Sequence, residues 1–223
     1  MNFFNIKNLF NINFYKRIFS AVIFIPIMIA PILLGGIYVV FTYLLLLSLV
    51  VSELLNILKY TNNKSSLLMY LLISIVSLFI FLLLLISDPD NRYHFIILIF
   101  TIWIFDTFSY LGGKIFNGRK LFPSISKGKT YSGLISGFAS VTIFSMITSY
   151  YFNLQLSYLI TLGVFISLFA FIGDMLVSLI KRSANLKDSG SIMPGHGGIL
   201  DRLDSFIFVF FIISTYKIVI FFL

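Results

Sequence analysis

Apolar residues do not alternate with polar ones along this chain; they come in long unbroken runs separated by short polar stretches. A half-buried element of a water-soluble domain would show a period of 3.6 or 2. Runs of about 20 apolar residues are instead the length a helix needs to cross a bilayer. On that ruler the sequence predicts seven helices, near residues 18–35, 37–58, 67–87, 94–112, 132–150, 156–177 and 205–222. Gly35 and Gly36 divide the first long run, because glycine permits a tight turn, and Pro26 and Pro31 are expected to kink the first helix. The run after Lys16 and Arg17 is followed by no small-residue cleavage site, so it is read as an uncleaved span. The expected fold class is therefore all-α: a polytopic integral membrane protein of about seven transmembrane helices. It forms a single membrane domain over 1–223, with N-terminal helices over 18–112 and a C-terminal half, 113–223, that holds two polar loops.

Composition agrees, since 59% hydrophobic and 11% charged residues exclude an ordinary soluble domain. The bases then give the topology. With the N-terminus in the cytoplasm, Lys7, Lys16, Arg17, Lys59, Lys64, Lys114, Arg119, Lys120, Lys127, Lys129, Lys181, Arg182, Lys187 and Arg202 all fall on the inner side, 14 of the 16. Arg92 is left in an outer loop beside Asp88 and Asp90, and Lys217 near the end of the last span. That sorting follows the positive-inside rule. The net charge of +8 is thus spent on topology and anionic headgroups rather than nucleic acid. Cys is absent, so any metal must take oxygen or imidazole ligands and no thiol nucleophile is available.

Two inner loops carry the chemistry. Residues 113–131, "GKIFNGRKLFPSISKGKTY", hold five bases and no acid, whereas residues 181–205, "KRSANLKDSGSIMPGHGGILDRLDS", mix acids and bases. Solvated loops would explain the bases but not the carboxylates. Asp106 lies inside the fourth span and Asp174 in the last turns of the sixth, where an unpaired charge costs on the order of 2.5 kcal/mol or more. Glu53, nearer the surface and Lys59, is expected to be structural. Asp174, Ser178 and Lys181 share one helix face, and Asp201 and Asp204 share another. Convergence of Asp174, Asp201 and Asp204 is ligand chemistry for a hard divalent cation such as Mg²⁺. Lys181, Arg182, Lys187 and Arg202 would hold phosphate oxygens. The flexible Gly195–Gly198 stretch lets backbone N–H groups approach an anion at the start of the next helix. "GKT" at Gly128–Thr130 is not a P-loop, because Pro123 stands where that motif needs glycine and no strand is expected before it.

Taken together, these residues resemble the phosphatidate cytidylyltransferases, whose signature has the form S-x-x-K-R-x4-K-D-x-[GSA]-x2-[apolar]-[PGS]-x-H-G-G-x-x-D-R-x-D. Ser178, Lys181, Arg182, Lys187, Asp188, Gly190, Met193, Pro194, His196, Gly197, Gly198, Asp201, Arg202 and Asp204 stand in register with it. The upstream loop is similar to a second family region at Asp106, Tyr110, Gly113, Gly118, Lys120, Leu121, Pro123, Ser126, Lys129, Thr130 and Gly133. It departs at Ser109, Asn117, Lys127, Tyr131 and above all Ser132, which replaces an acid or amide. The resemblance implies transfer of CMP from CTP to phosphatidic acid, with Mg²⁺ and K⁺ as a second ion, in a homodimer. It places the protein in a bacterial inner membrane with the site facing the cytoplasm. On this reading Asp174, Asp201 and Asp204 hold the metal while Lys181 and Arg182 act on phosphates. Ser126, Lys129 and Thr130 hold nucleotide, and Asp106, Ser178, Lys187, Asp188, His196, Gly197, Gly198 and Arg202 complete the substrate site. The CDP-alcohol phosphotransferases are set aside because Ser205 and apolar residues follow Asp204 where their motif needs further acids. An ion transporter is disfavoured because the outer halves of the spans are nearly all apolar. An inactive or narrowed member of the family is kept open by Ser132.

Overall fold

The computed structural model describes residues 24–61, 64–87, 92–190 and 197–222. Their order is α1 (Phe24–Leu34), α2 (Gly36–Leu58), α3 (Lys64–Ser87), α4 (Arg92–Phe116), β1 (Lys120–Phe122), β2 (Ser126–Thr130), α5 (Tyr131–Phe152), α6 (Leu156–Ser183) and α7 (Leu200–Phe222). The helices follow the apolar runs closely. Gly35 and Gly36 make the turn between α1 and α2 with φ of 71° and 52°, a left-handed region that costs glycine nothing. Among the described residues α2, α4, α5 and α6 are long and apolar enough to cross a membrane, while α1 and Lys64–Phe79 of α3 are shorter apolar helices.

Two features depart from the expected outline. The basic loop is not irregular: β1 and β2 pair antiparallel, Lys120 opposite Thr130 and Phe122 opposite Ser126, so the fold is helical with one small hairpin. Pro123 sits at the second position of the turn, where its fixed φ is favoured, and Ile125 N–H donates to Phe122 O at 3.1 Å. Gly128–Thr130 therefore lies in a strand, contrary to the expectation, although that strand runs straight into α5 with no glycine loop between. The second departure is that α4 and α6 continue past their apolar runs into polar sequence, carrying Lys114, Lys181 and Arg182 on their last turns.

The core gathers around α7, which packs chiefly on α6 and α3, with Val50, Leu54, Ile99, Ile102, Leu203, Phe206 and Ile207 all buried. Large apolar side chains such as Phe41, Ile135, Ile143 and Tyr150 are exposed, as expected where the surrounding solvent is lipid rather than water. Two close approaches position the site. A side chain at Gly133 or Gly137 would run into the Ser109 carbonyl or the Phe105 ring, and one at Gly173 would meet Asp204 O at 2.7 Å. Small residues thus seat α5 on α4 and α7 on α6, as membrane helices commonly pack.

Candidate active site

A cavity of about 350 Å³ opens between the polar ends of α4, α6 and α7 and the β hairpin, a size that suits a small-molecule substrate. Helix α4 contributes Asp106, Ser109 and Tyr110; β2 contributes Ser126, Lys129 and Thr130; α6 contributes Phe171, Asp174 and Lys181. Asp188 enters from the loop after α6, and Asp201, Arg202 and Asp204 from the first turns of α7. Ten of the sequence-derived site residues therefore share one wall-to-wall space, although they come from positions 106 to 204.

Two ion pairs organise it. Lys129 Nζ lies 2.6 Å from Asp174 Oδ2 and 4.5 Å from the centre of the Phe171 ring, so the ammonium is held by a carboxylate and an aromatic face together. Ser178 donates to the other oxygen, Asp174 Oδ1, at 3.3 Å, as the shared helix face predicts. The second pair joins Lys181 Nζ to Asp201 Oδ1 at 2.6 Å. Asp201 Oδ2 accepts from the N–H groups of Ser189 at 2.9 Å and Gly198 at 3.0 Å. Burial alone would raise the Asp201 carboxyl, but Lys181 and the two backbone donors outweigh it and hold the group below the usual aspartate value. Asp204 is buried and its Oδ1 accepts from Ser205 N–H at 2.8 Å. Asp174 and Asp106 are its neighbouring carboxyl groups.

Other expected residues stand apart from the cavity. Arg182 donates to Ile125 O at 3.2 Å and Leu186 O at 2.8 Å, tying the hairpin turn to the end of α6. Ser178 acts through Asp174, Lys187 is exposed to solvent, and Gly197 and Gly198 form the approach to α7. His196 lies outside the described residues. Thr130 does line the cavity, but its hydroxyl caps α5 by accepting from Gly133 N–H at 3.1 Å. Ser132, the departure noted in the sequence, accepts from Gly118 N–H at 3.2 Å and so fastens the start of the hairpin.

The donor set around the cavity is hard oxygen, which suits Mg²⁺. It is not a closed cage, since among the described residues no three His, Asp or Glu side chains are grouped to hold a metal ion. Asp201 has both oxygens filled by Lys181 and the backbone, and Asp174 is paired with Lys129. Such an arrangement fits an ion that takes one or two carboxylates and completes its shell with substrate phosphate and water.

Sequence reasoning gave no site role to Phe171 or Ser109, and it placed Glu53 as structural without finding its partners. Phe171 gave no signal among so many apolar residues. Ser109 lines the cavity and its buried hydroxyl has no hydrogen-bond partner among the described residues. Glu53 is 3% exposed and does not serve Lys59, whose Nζ bonds Asn56 Oδ1 at 3.1 Å. It instead accepts from Ser189 Oγ, Ile199 N–H and Leu200 N–H at 2.7, 2.9 and 2.9 Å. Its place inside a span was the one available clue.

Comparison with known proteins gives the family. The chain is 35% identical over 216 residues to the phosphatidate cytidylyltransferase of Rickettsia conorii, covering 92% of each chain. It is 37% identical over 218 residues to that of Rickettsia prowazekii, covering 92% of this chain and 93% of the relative. To that of Staphylococcus aureus (strain COL) it is 45% identical over 119 residues, 52% of this chain and 46% of the relative. Residues 61–220, which include every described wall of the cavity, match the cytidylyltransferase family, and the chain belongs to that family.

Proposed function

We propose that this protein transfers CMP from CTP to phosphatidic acid, releasing pyrophosphate and forming CDP-diacylglycerol for phospholipid synthesis. The observation that carries this reading is the cavity itself: Lys129, Lys181 and Arg202 face it together with Asp106, Asp174 and Asp204 at the polar ends of apolar helices. That is the equipment for holding two phosphorylated substrates, one soluble and one anchored in lipid. A phosphatidate oxygen forms a bond to the α-phosphorus of CTP as the bond to the β-phosphate oxygen breaks, and pyrophosphate departs with that electron pair. The nucleophile is already an anion, so no side chain need remove a proton.

The work left to the protein is orientation and charge neutralisation. Lys129, presented by the hairpin, would trade part of its carboxylate contact for a phosphate oxygen, while Lys181, kept on Asp201, would add positive charge to the cavity wall. Arg202 is exposed at the mouth and suits bidentate contact with phosphate. Asp174 and Asp204 would hold Mg²⁺ delivered with the nucleotide; the ion, when bound, supplies charge neutralisation on the phosphates. A K⁺ ion as second cation is part of the same proposal. So are seven crossings with the N-terminus in the cytoplasm, a site on the cytoplasmic face of a bacterial inner membrane, and a homodimer. Apolar residues Phe105, Leu121 and Leu134 on the cavity wall would let the lipid enter sideways with its acyl chains still in the bilayer.

The test is to incubate the detergent-purified protein with labelled CTP, Mg²⁺ and phosphatidic acid. The expected product is a CDP-lipid formed in step with pyrophosphate. Folded protein that makes neither would overturn the reading.

A further inference from the structure

We infer that Glu53 is a positioning residue for the reaction, fixing the first turn of α7 and the loop before it so that Asp201 and Asp204 reach the cavity. The inference rests on the transfer reaction proposed above.

The first N–H groups of a helix have no partner within it and need an outside acceptor. Usually a side chain just before the helix supplies one. At α7 the acceptor comes from the opposite end of the chain: Glu53 Oε1 takes Ile199 N–H, and Oε2 takes both Leu200 N–H and Ser189 Oγ. A carboxylate at a helix N-terminus also meets the positive end of the helix dipole. Both oxygens are used only as acceptors, in a pocket 3% exposed.

What Glu53 grips is adjacent to the chemistry on both sides. Ser189 follows Asp188, and Ile199 and Leu200 immediately precede Asp201. Asp201 completes the grip from within, since its Oδ2 bonds Ser189 N–H and Gly198 N–H. Two carboxylates, one from α2 and one from α7, therefore clamp the same two backbone strands. The fit leaves no slack. A side chain at Gly198 would collide with Ser189 Oγ and Glu53 Oε2, and one at Gly190 would come within 2.8 Å of Glu53 Oε1. Because α7 is a rigid rod, a shift of its first turn carries Asp204 with it, one turn further on.

The experiment compares kcat and KM for CTP in wild type, Glu53→Gln and Ser189→Ala, each scaled to folded protein, with phosphatidic acid as acceptor. A displacement of about 1 Å can cost on the order of 100-fold in rate. Glu53→Gln, which puts an amide N–H against backbone donors, is expected to lower kcat about 10- to 100-fold with a smaller change in KM. Ser189→Ala, which spares both backbone bonds, should show a milder loss of the same kind. If Glu53→Gln does not fold, Ser189→Ala decides alone. A second measurement is a double-mutant cycle of Glu53→Ala with Gly198→Ala: removing Glu53 clears Oε2 and releases the Ser189 hydroxyl, the two groups a Gly198 side chain would strike, so the two losses should be strongly non-additive. Folded variants with wild-type kcat, or independent losses in the cycle, would overturn the inference. A wild type that forms no CDP-lipid would instead remove the reaction on which it rests.

Discussion

The two lysine–aspartate pairs that flank the cavity have the same 2.6 Å separation and different surroundings. In the first, the side chains of Lys129 and Asp174 are 18% and 31% exposed; in the second, those of Lys181 and Asp201 are 11% and 7% exposed. Among the described residues Asp174 has a single further donor, the Ser178 hydroxyl, whereas Asp201 has two backbone N–H groups. Equal length therefore does not mean equal function. The buried, fully satisfied pair is a structural joint between α6 and α7. On the proposed reading the other pair, presented by the hairpin, is the one whose carboxylate gives way to a substrate phosphate.

The largest expected effect comes from breaking the buried joint. Asp201→Asn leaves the Lys181 ammonium without its counter-charge in a poorly solvated place, and loss of one partner from a buried pair costs about 3–5 kcal/mol. For a chain of this size that lowers the melting temperature by roughly 10 °C, readable as loss of the monodisperse peak after heating in detergent. CMP transfer should fall with it. A variant with wild-type melting behaviour would show that Lys181 is solvated well enough to stand alone.

The open pair should give the opposite profile. Lys129→Met removes the buried ammonium itself and leaves behind a carboxylate that is 31% exposed and can turn to solvent, so the melting temperature should fall less than in Asp201→Asn. Activity should drop by about 10²- to 10³-fold, the usual consequence of deleting one group that stabilises developing charge, with weaker CTP binding. If Lys129→Met destabilised the protein as much as Asp201→Asn, the distinction between the pairs would be lost.

The contrast also shows what could be read without a structure. Helix positions were legible because apolar run length is a local property, although α4 and α6 run on past their expected ends; so was the Asp174–Ser178 contact, which follows from four-residue spacing on one helix. The Lys181–Asp201 joint spans two helices and depends on how closely Gly173 lets α7 approach α6. Its partners could be placed in one loop region but not paired. The hairpin was hidden because "KLFPSISKGKT" lacks apolar alternation; its strands are held by backbone pairing, and the Ser132 hydroxyl fastens its start. Glu53 was least legible of all. Its partners lie 136 to 147 residues away, and nothing in an evenly apolar helix announces which neighbour a lone carboxylate faces.

The smallest effect tests how Asp174 is held. Ser178→Ala deletes a hydroxyl 3.3 Å from Asp174 Oδ1, near the outer limit for an O–H donor. Lys129 remains on the other oxygen at 2.6 Å, and a charge-assisted bond of that length is about twice as strong as a neutral one. The carboxylate should therefore keep its place. Initial rates of CDP-lipid formation should fall by less than about fivefold, since a typical hydrogen bond contributes only about 1 kcal/mol, and the melting temperature should scarcely change. A loss comparable to that of Lys129→Met would mean that the hydroxyl, not the ammonium, sets the orientation of Asp174. The open pair would then be as dependent on its helix as the buried one is on its loop.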